Sequence, residues 1–113
     1  ARGGAMTALE KLGLEVAAFQ LLGSRTKAAV LRALIEAGGV SLGWEAIARA
    51  RSWKETLDEA SSRNVVKTRI CLLRETLEDV GLGGLIQTFE GGRYALPEPG
   101  RSQVIARLVE VAA

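Results

Sequence analysis

A chain of 113 residues, 48% of them apolar, suffices for one domain with a compact core, and the composition is that of an ordinary globular protein. The single cysteine, Cys71, excludes an internal disulfide framework, and the lack of histidine argues against a zinc site and against the commonest general base. The net charge of +2, from 15 basic and 13 acidic residues, does not indicate a nucleic acid by itself, so such a function must be argued from where the charges sit.

Residues 1–6 (Ala-Arg-Gly-Gly-Ala-Met) have no apolar period and are expected to be a flexible leader. From Thr7 to Leu22, apolar residues recur at Leu9, Leu12, Val16 and Phe19 with helical spacing. Gly13 weakens that pattern, and Val16 to Leu22 is also compatible with a strand. Gly23-Ser24 breaks the pattern, and Ser24 is suited to cap a helix from Arg25 to Ala37. Ala28, Val30, Leu31, Leu34 and Ile35 form that helix's apolar face, and Gly38-Gly39 ends it. Ser41 is placed to cap a further helix carrying Trp44, Ile47 and Ala48 on its inward side. Arg51 to Ser62, polar apart from Trp53 and Leu57, reads as a connecting loop.

The longest helix is predicted over Arg63 to Val80, with Gly81 just past its end. Leu85 to Phe89 then reads as a strand, Glu90 to Arg93 as a tight turn and Tyr94 to Leu96 as the returning strand, with Pro97 and Pro99 stopping the hairpin. A last helix runs from Arg101 to Ala113, its stripe formed by Val104, Ile105, Leu108 and Val109. The expected organisation is a leader (1–6), a helix or strand segment (7–22), a central domain (23–97) and a C-terminal helix (98–113). The fold class is mainly α with a small β-hairpin. Three helices followed by a two-stranded hairpin is the order of a winged helix-turn-helix.

On a 3.6-residue period, Val66, Ile70, Leu73, Leu77 and Val80 share one face of the long helix, which must be its core face. Asn64, Thr68, Cys71, Leu72 and Glu75 lie opposite, with Lys67 and Arg74 flanking them on one side and Arg69 on the other. Polar tips between two rows of cations suit a helix in a major groove, where the cations reach the phosphate walls. Glu75, Glu78 and Asp79 all fall in the C-terminal half, so only the N-terminal half is expected to approach DNA.

The long helix and hairpin read Val66-Lys67-Thr68-Arg69-Ile70-Cys71-Leu72-Leu73-Arg74-Glu75-Thr76-Leu77 and Ile86-Gln87-Thr88-Phe89-Glu90-Gly91-Gly92-Arg93-Tyr94-Ala95-Leu96. The shared Leu-Arg-x-x-Leu and Ile-x-Thr-x-x-Gly-x-x-Tyr-x-Leu, at this separation, resemble the winged-helix effector domain of OmpR-type response regulators, from about Ser24 to Leu96. The resemblance implies a recognition helix in the major groove and a wing on the flanking backbone. This chain departs from that family in having Cys71 and Leu72 where further basic residues are usual, and Glu90 where the wing often has Arg. The family's receiver domain has no counterpart in these 113 residues, so control by phosphorylation is not implied.

The candidate DNA-binding residues are therefore Asn64, Lys67, Thr68, Arg69, Cys71, Leu72, Arg74 and Arg93. Lys67, Arg69 and Arg74 are candidates for phosphate contacts, Asn64 and Thr68 for base edges, and Arg93 for the minor groove or a phosphate. Cys71 and Leu72 fit thymine methyls, packing against the loop containing Trp53, or a protein contact. Cys71 is not expected to act as a nucleophile, because no histidine is present to activate it. Ile86, Phe89 and Tyr94 are expected in the hairpin core, and Trp44 and Trp53 between helices. Arg25 and Lys27 are expected in an exposed first turn, and Gly91-Gly92 supplies left-handed turn geometry.

The function expected is sequence-specific binding of double-stranded DNA by a transcription regulator, with no cofactor, no metal and no enzymatic activity. Its rival is a winged helix turned to protein binding. Further partners expected are the transcription machinery and a second copy docked through the C-terminal helix. The alternative for that helix's stripe is packing on the segment 7–22. No apolar run approaches the roughly 20 residues of a membrane span and no signal-peptide pattern is found, so a cytoplasmic protein is expected.

Overall fold

The computed structural model describes residues 8–50 and 63–112, with side chains from residue 13 onward. The leader and the loop expected over 51–62, Trp53 included, lie outside the described residues. The elements are α1 (Ala8–Leu22), α2 (Arg25–Glu36), β1 (Leu42–Gly43), α3 (Trp44–Ala48), α4 (Arg63–Asp79), β2 (Gln87–Phe89), β3 (Arg93–Ala95) and α5 (Gly100–Ala112). The described chain is mainly helical, with one small antiparallel sheet in the order β1-β3-β2.

α1 is helical throughout, which removes the strand alternative over Val16 to Leu22. The face it buries also differs from the one its spacing suggests. Val16 is 37% exposed, whereas Glu15, Ala17, Ala18 and Leu22 are buried. α1 packs on both α2 and α5. The small Ala17 and Ala18 let neighbouring backbone approach closely, and that geometry decides the face. α2 begins as expected: Ser24 Oγ accepts the Lys27 backbone N–H at 3.2 Å. It ends before Gly38 and Gly39, whose φ angles of +66° and +94° are disfavoured for residues with a side chain.

Ser41 does not cap the next helix. Leu42 and Gly43 are drawn into the sheet as β1, pairing with Tyr94 and Arg93, and Gly43 becomes the cap residue of α3 without a side-chain bond. Ile47 and Ala48 are buried as expected, and Trp44 is half-buried against the core. In the hairpin, β2 begins two residues later than predicted, and the turn is confined to 90–92. Arg93 belongs to β3, so it is a strand residue and not a turn residue. Phe89 is 45% exposed and is not part of the hairpin core, whereas Ile86 and Tyr94 are buried. β2 is exposed along its whole length, with Phe89 paired to the exposed Arg93, whereas Tyr94 and Ala95 of β3 are buried.

A single core cluster joins all five helices and the hairpin. Leu31, Leu34, Ile35, Ile47, Ile70, Leu73, Leu77, Leu96, Val104 and Leu108 are fully buried there. α4 presents the expected face, Val66, Ile70, Leu73 and Leu77, with Val80 half-buried at its end. Two arginines of α5 satisfy helix-terminal carbonyls that have no partner within their own helix. Arg101 Nε donates to Ile35 O at 2.8 Å, at the end of α2, and Arg107 Nη1 donates to Val80 O at 2.7 Å, just past α4.

Val104 and Leu108 are thereby buried inside the protein, while Val109 stays 61% exposed. Ile105 and Val109 line an apolar pocket of about 400 Å³ together with Leu14 and Ala17 of α1. On the other side of α1, the buried Glu15 carboxylate accepts from Arg32 Nε at 2.6 Å, and Arg32 Nη1 also bonds Glu36. Burial alone would press the Arg32 guanidinium down. The bonds to Glu36 and Glu15 outweigh it and hold the group above its ordinary pKa.

Candidate nucleic-acid interface

α4 is positioned from one side only. Its apolar face is locked into the core, and the opposite face of its N-terminal half is open to solvent: Arg63, Asn64, Val65, Lys67, Thr68, Cys71 and Leu72 are all exposed. None of these is acidic, and the first carboxylate along the helix is Glu75. Asn64, Thr68, Cys71 and Leu72 stand three or four residues apart and so form one continuous strip. The Thr68 hydroxyl donates back to Asn64 O at 3.1 Å, a helix-internal bond that leaves the Asn64 amide facing outward. The Cys71 thiol lies 3.8 Å from Glu75 Oε2, the next residue up the strip.

The cations flanking the strip are in different situations. Lys67 makes no side-chain hydrogen bond or ion pair among the described residues. Arg74, two turns on, is turned inward to the hairpin. Its Nη2 donates to Ile86 O at 3.0 Å and to Thr88 Oγ1 at 2.6 Å, and its guanidinium lies 6.0 Å from the centroid of the Tyr94 ring. Arg69 is half-buried on the other flank, and its Nη1 is buried with no hydrogen-bond partner among the described residues. A charged donor in that position has an incentive to take up an acceptor.

Arg93 does not stand at the hairpin tip with the other candidates. From β3 its Nε donates to Ser41 Oγ at 2.9 Å and its Nη2 to Ser41 O at 2.7 Å, which ties the hairpin to the start of β1. The cation that does meet the turn is Arg63, which sequence reasoning did not single out. Its Nε lies 2.9 Å from where a Cβ on Gly92 would stand, so a side chain there would push the Arg63 guanidinium aside. Gly92 also has φ +73°, a second reason for glycine. Its position one residue before Asn64, on the same side as Lys67, was the available signal. Lys27, expected in an exposed first turn, reaches across from α2 so that its Nζ donates to Thr76 Oγ1 at 2.7 Å.

The result is a helix face bordered on one side by a hairpin that Arg74 fixes in place and whose turn Arg63 touches. Arg63 and Lys67 provide a cationic margin between the strip and the hairpin. Among the described residues no group of acids and cysteine could hold a metal ion, and no described helix is long and apolar enough to cross a membrane. No protein-family model matches the chain, and neither a curated protein nor a solved structure is significantly similar to it.

Proposed function

We propose that the protein is a winged helix-turn-helix that binds double-stranded DNA and regulates transcription. In this reading α2, α3 and α4 are the three helices, the β2–β3 hairpin is the wing, and β1 is the third strand on which the wing rests. The observation that carries the reading is the acid-free outward face of α4 with a hairpin held beside it. The N-terminal half of such a helix enters the major groove, Asn64 and Thr68 reach base edges, and Arg63 and Lys67 meet one phosphate wall. Arg69, half-buried on the opposite flank, is the candidate for the other wall.

The test is salt-dependent binding to duplex DNA. Each lost phosphate contact lowers the slope of log affinity against log salt by about 0.9. Lys67→Ala and Arg63→Ala should each produce a drop of that size and weaken random and preferred duplexes alike. Slopes unchanged in both variants would refute the docking. A protein-binding module remains the second reading, supported by the exposed Val65 and Leu72 on α4 and the exposed Phe89 on β2. Its signature is binding to a protein partner with no measurable affinity for duplex DNA at low salt.

A further inference from the structure

Resting on the DNA-binding reading, we infer that the α4 strip recognises A·T base pairs, and does so by laying the Leu72 side chain against thymine methyl groups. The first ground is what the strip lacks. Guanine is most often read in the major groove by a bidentate Arg or Lys. Here Arg74 is engaged by Ile86 O and Thr88 Oγ1, and Arg69 is half-buried on the flank. Arg63 sits at the hairpin turn and Lys67 at the margin, so the centre of the strip carries no guanidinium.

The second ground is what the strip has. Leu72 is 46% exposed on the strip that also carries Asn64 and Thr68, while the neighbouring Cys71 thiol is directed to the Glu75 carboxylate. The thymine C5-methyl is the apolar feature that a base edge offers in the major groove, so an apolar tip there has one natural counterpart. Two turns toward the N-terminus, the outward Asn64 amide matches the N6 donor and N7 acceptor of adenine. Glu75 would accept from cytosine N4, but it lies a further turn toward the C-terminus, away from the end of a recognition helix that reads bases.

The experiment begins with selection from random duplexes by the full chain, followed by replacement of each thymine of the selected site with deoxyuridine, which removes only the methyl. The expected site is A·T-rich at its centre, and one or two uracil substitutions should each weaken binding about four-fold, the loss appropriate to one methyl-sized apolar group. Leu72→Ala, at an exposed position that leaves the core intact, should bind the thymine and uracil duplexes equally. A selected site centred on G·C, or equal affinity for thymine and uracil duplexes in the parent protein, overturns the inference while leaving DNA binding in place. Absence of any duplex binding at low salt overturns the inference together with the reading beneath it.

Discussion

Arg74 offers the sharpest separation between a residue that serves the ligand and one that serves the fold. Its Nη2 bridges Ile86 O and Thr88 Oγ1, one acceptor just before β2 and one within it, and the guanidinium lies over the Tyr94 ring. Truncation to Ala removes two charge-assisted hydrogen bonds. Thr88 is exposed and water replaces much of its loss, so the bond to the part-buried Ile86 carbonyl dominates, at about 1.5–2 kcal/mol. The cation–π contact at a partly exposed site adds about 0.5 kcal/mol. Arg74→Ala should therefore destabilise the protein by about 2–2.5 kcal/mol, measured by urea unfolding, and lower the melting midpoint by roughly 10 °C. Coupling to Thr88→Val in a double-mutant cycle should be about 0.5–1 kcal/mol. Arg74→Lys, which keeps the charge but not the fork, should recover less than half of the loss. A variant as stable as the parent, or a cycle with zero coupling, would refute the pinning role and return Arg74 to the candidates for phosphate contact.

Leu73→Ala empties a fully buried site on α4 and should cost about 3 kcal/mol in the same unfolding assay, whereas Leu72→Ala should stay within about 0.5 kcal/mol of the parent. Ser24→Ala removes the cap of α2 and should cost about 1 kcal/mol, with Ser24→Asp close to neutral. Arg32→Ala should cost about 3 kcal/mol, because the buried Glu15 carboxylate loses the guanidinium it faces. The Glu98 carboxylate accepts from the Ser102 hydroxyl at 2.7 Å and from its backbone N–H at 3.0 Å, which holds its pKa below the ordinary value. That contribution to stability is present above the unfolded pKa of a glutamate and is lost as pH falls through the lower folded one. NMR titration should place the Glu98 midpoint below the ordinary glutamate value, and Ser102→Ala, which removes the hydroxyl but keeps the backbone N–H, should reverse only part of that shift.

The helices were legible because each of α2, α4 and α5 alternates its faces with the helical period, and Ser24, Gly38 and Gly81 punctuate the ends. α1 was legible as a helix but not in orientation. It is apolar on nearly every side, so periodicity cannot choose a face, and the close contact of Ala17 and Ala18 with two neighbouring helices makes the choice instead. β1 was illegible for a different reason. Two residues carry no period, and Leu42 and Gly43 become a strand only because Tyr94 and Arg93, some fifty positions away, offer them a free edge.

The candidate site divides along the same line. Which residues share the outward strip of α4 follows from helix geometry alone, and Asn64, Lys67, Thr68, Cys71 and Leu72 are exposed there. Which cations are available to a ligand does not follow from it. A guanidinium has five donors and a reach of several ångströms, so its partner is set by whatever acceptor the tertiary fold brings near. Ile86 O and Thr88 Oγ1 take Arg74, and Ser41 takes Arg93. Both acceptors belong to segments whose approach depends on the sheet, and the sheet includes the strand that the sequence concealed. The same event that hides β1 from a reading by period thus withdraws Arg93 from the hairpin tip and leaves Arg63 as the cation at the turn. A substitution that unpairs β1, such as Leu42→Pro, should therefore release Arg93 as well as weaken the sheet.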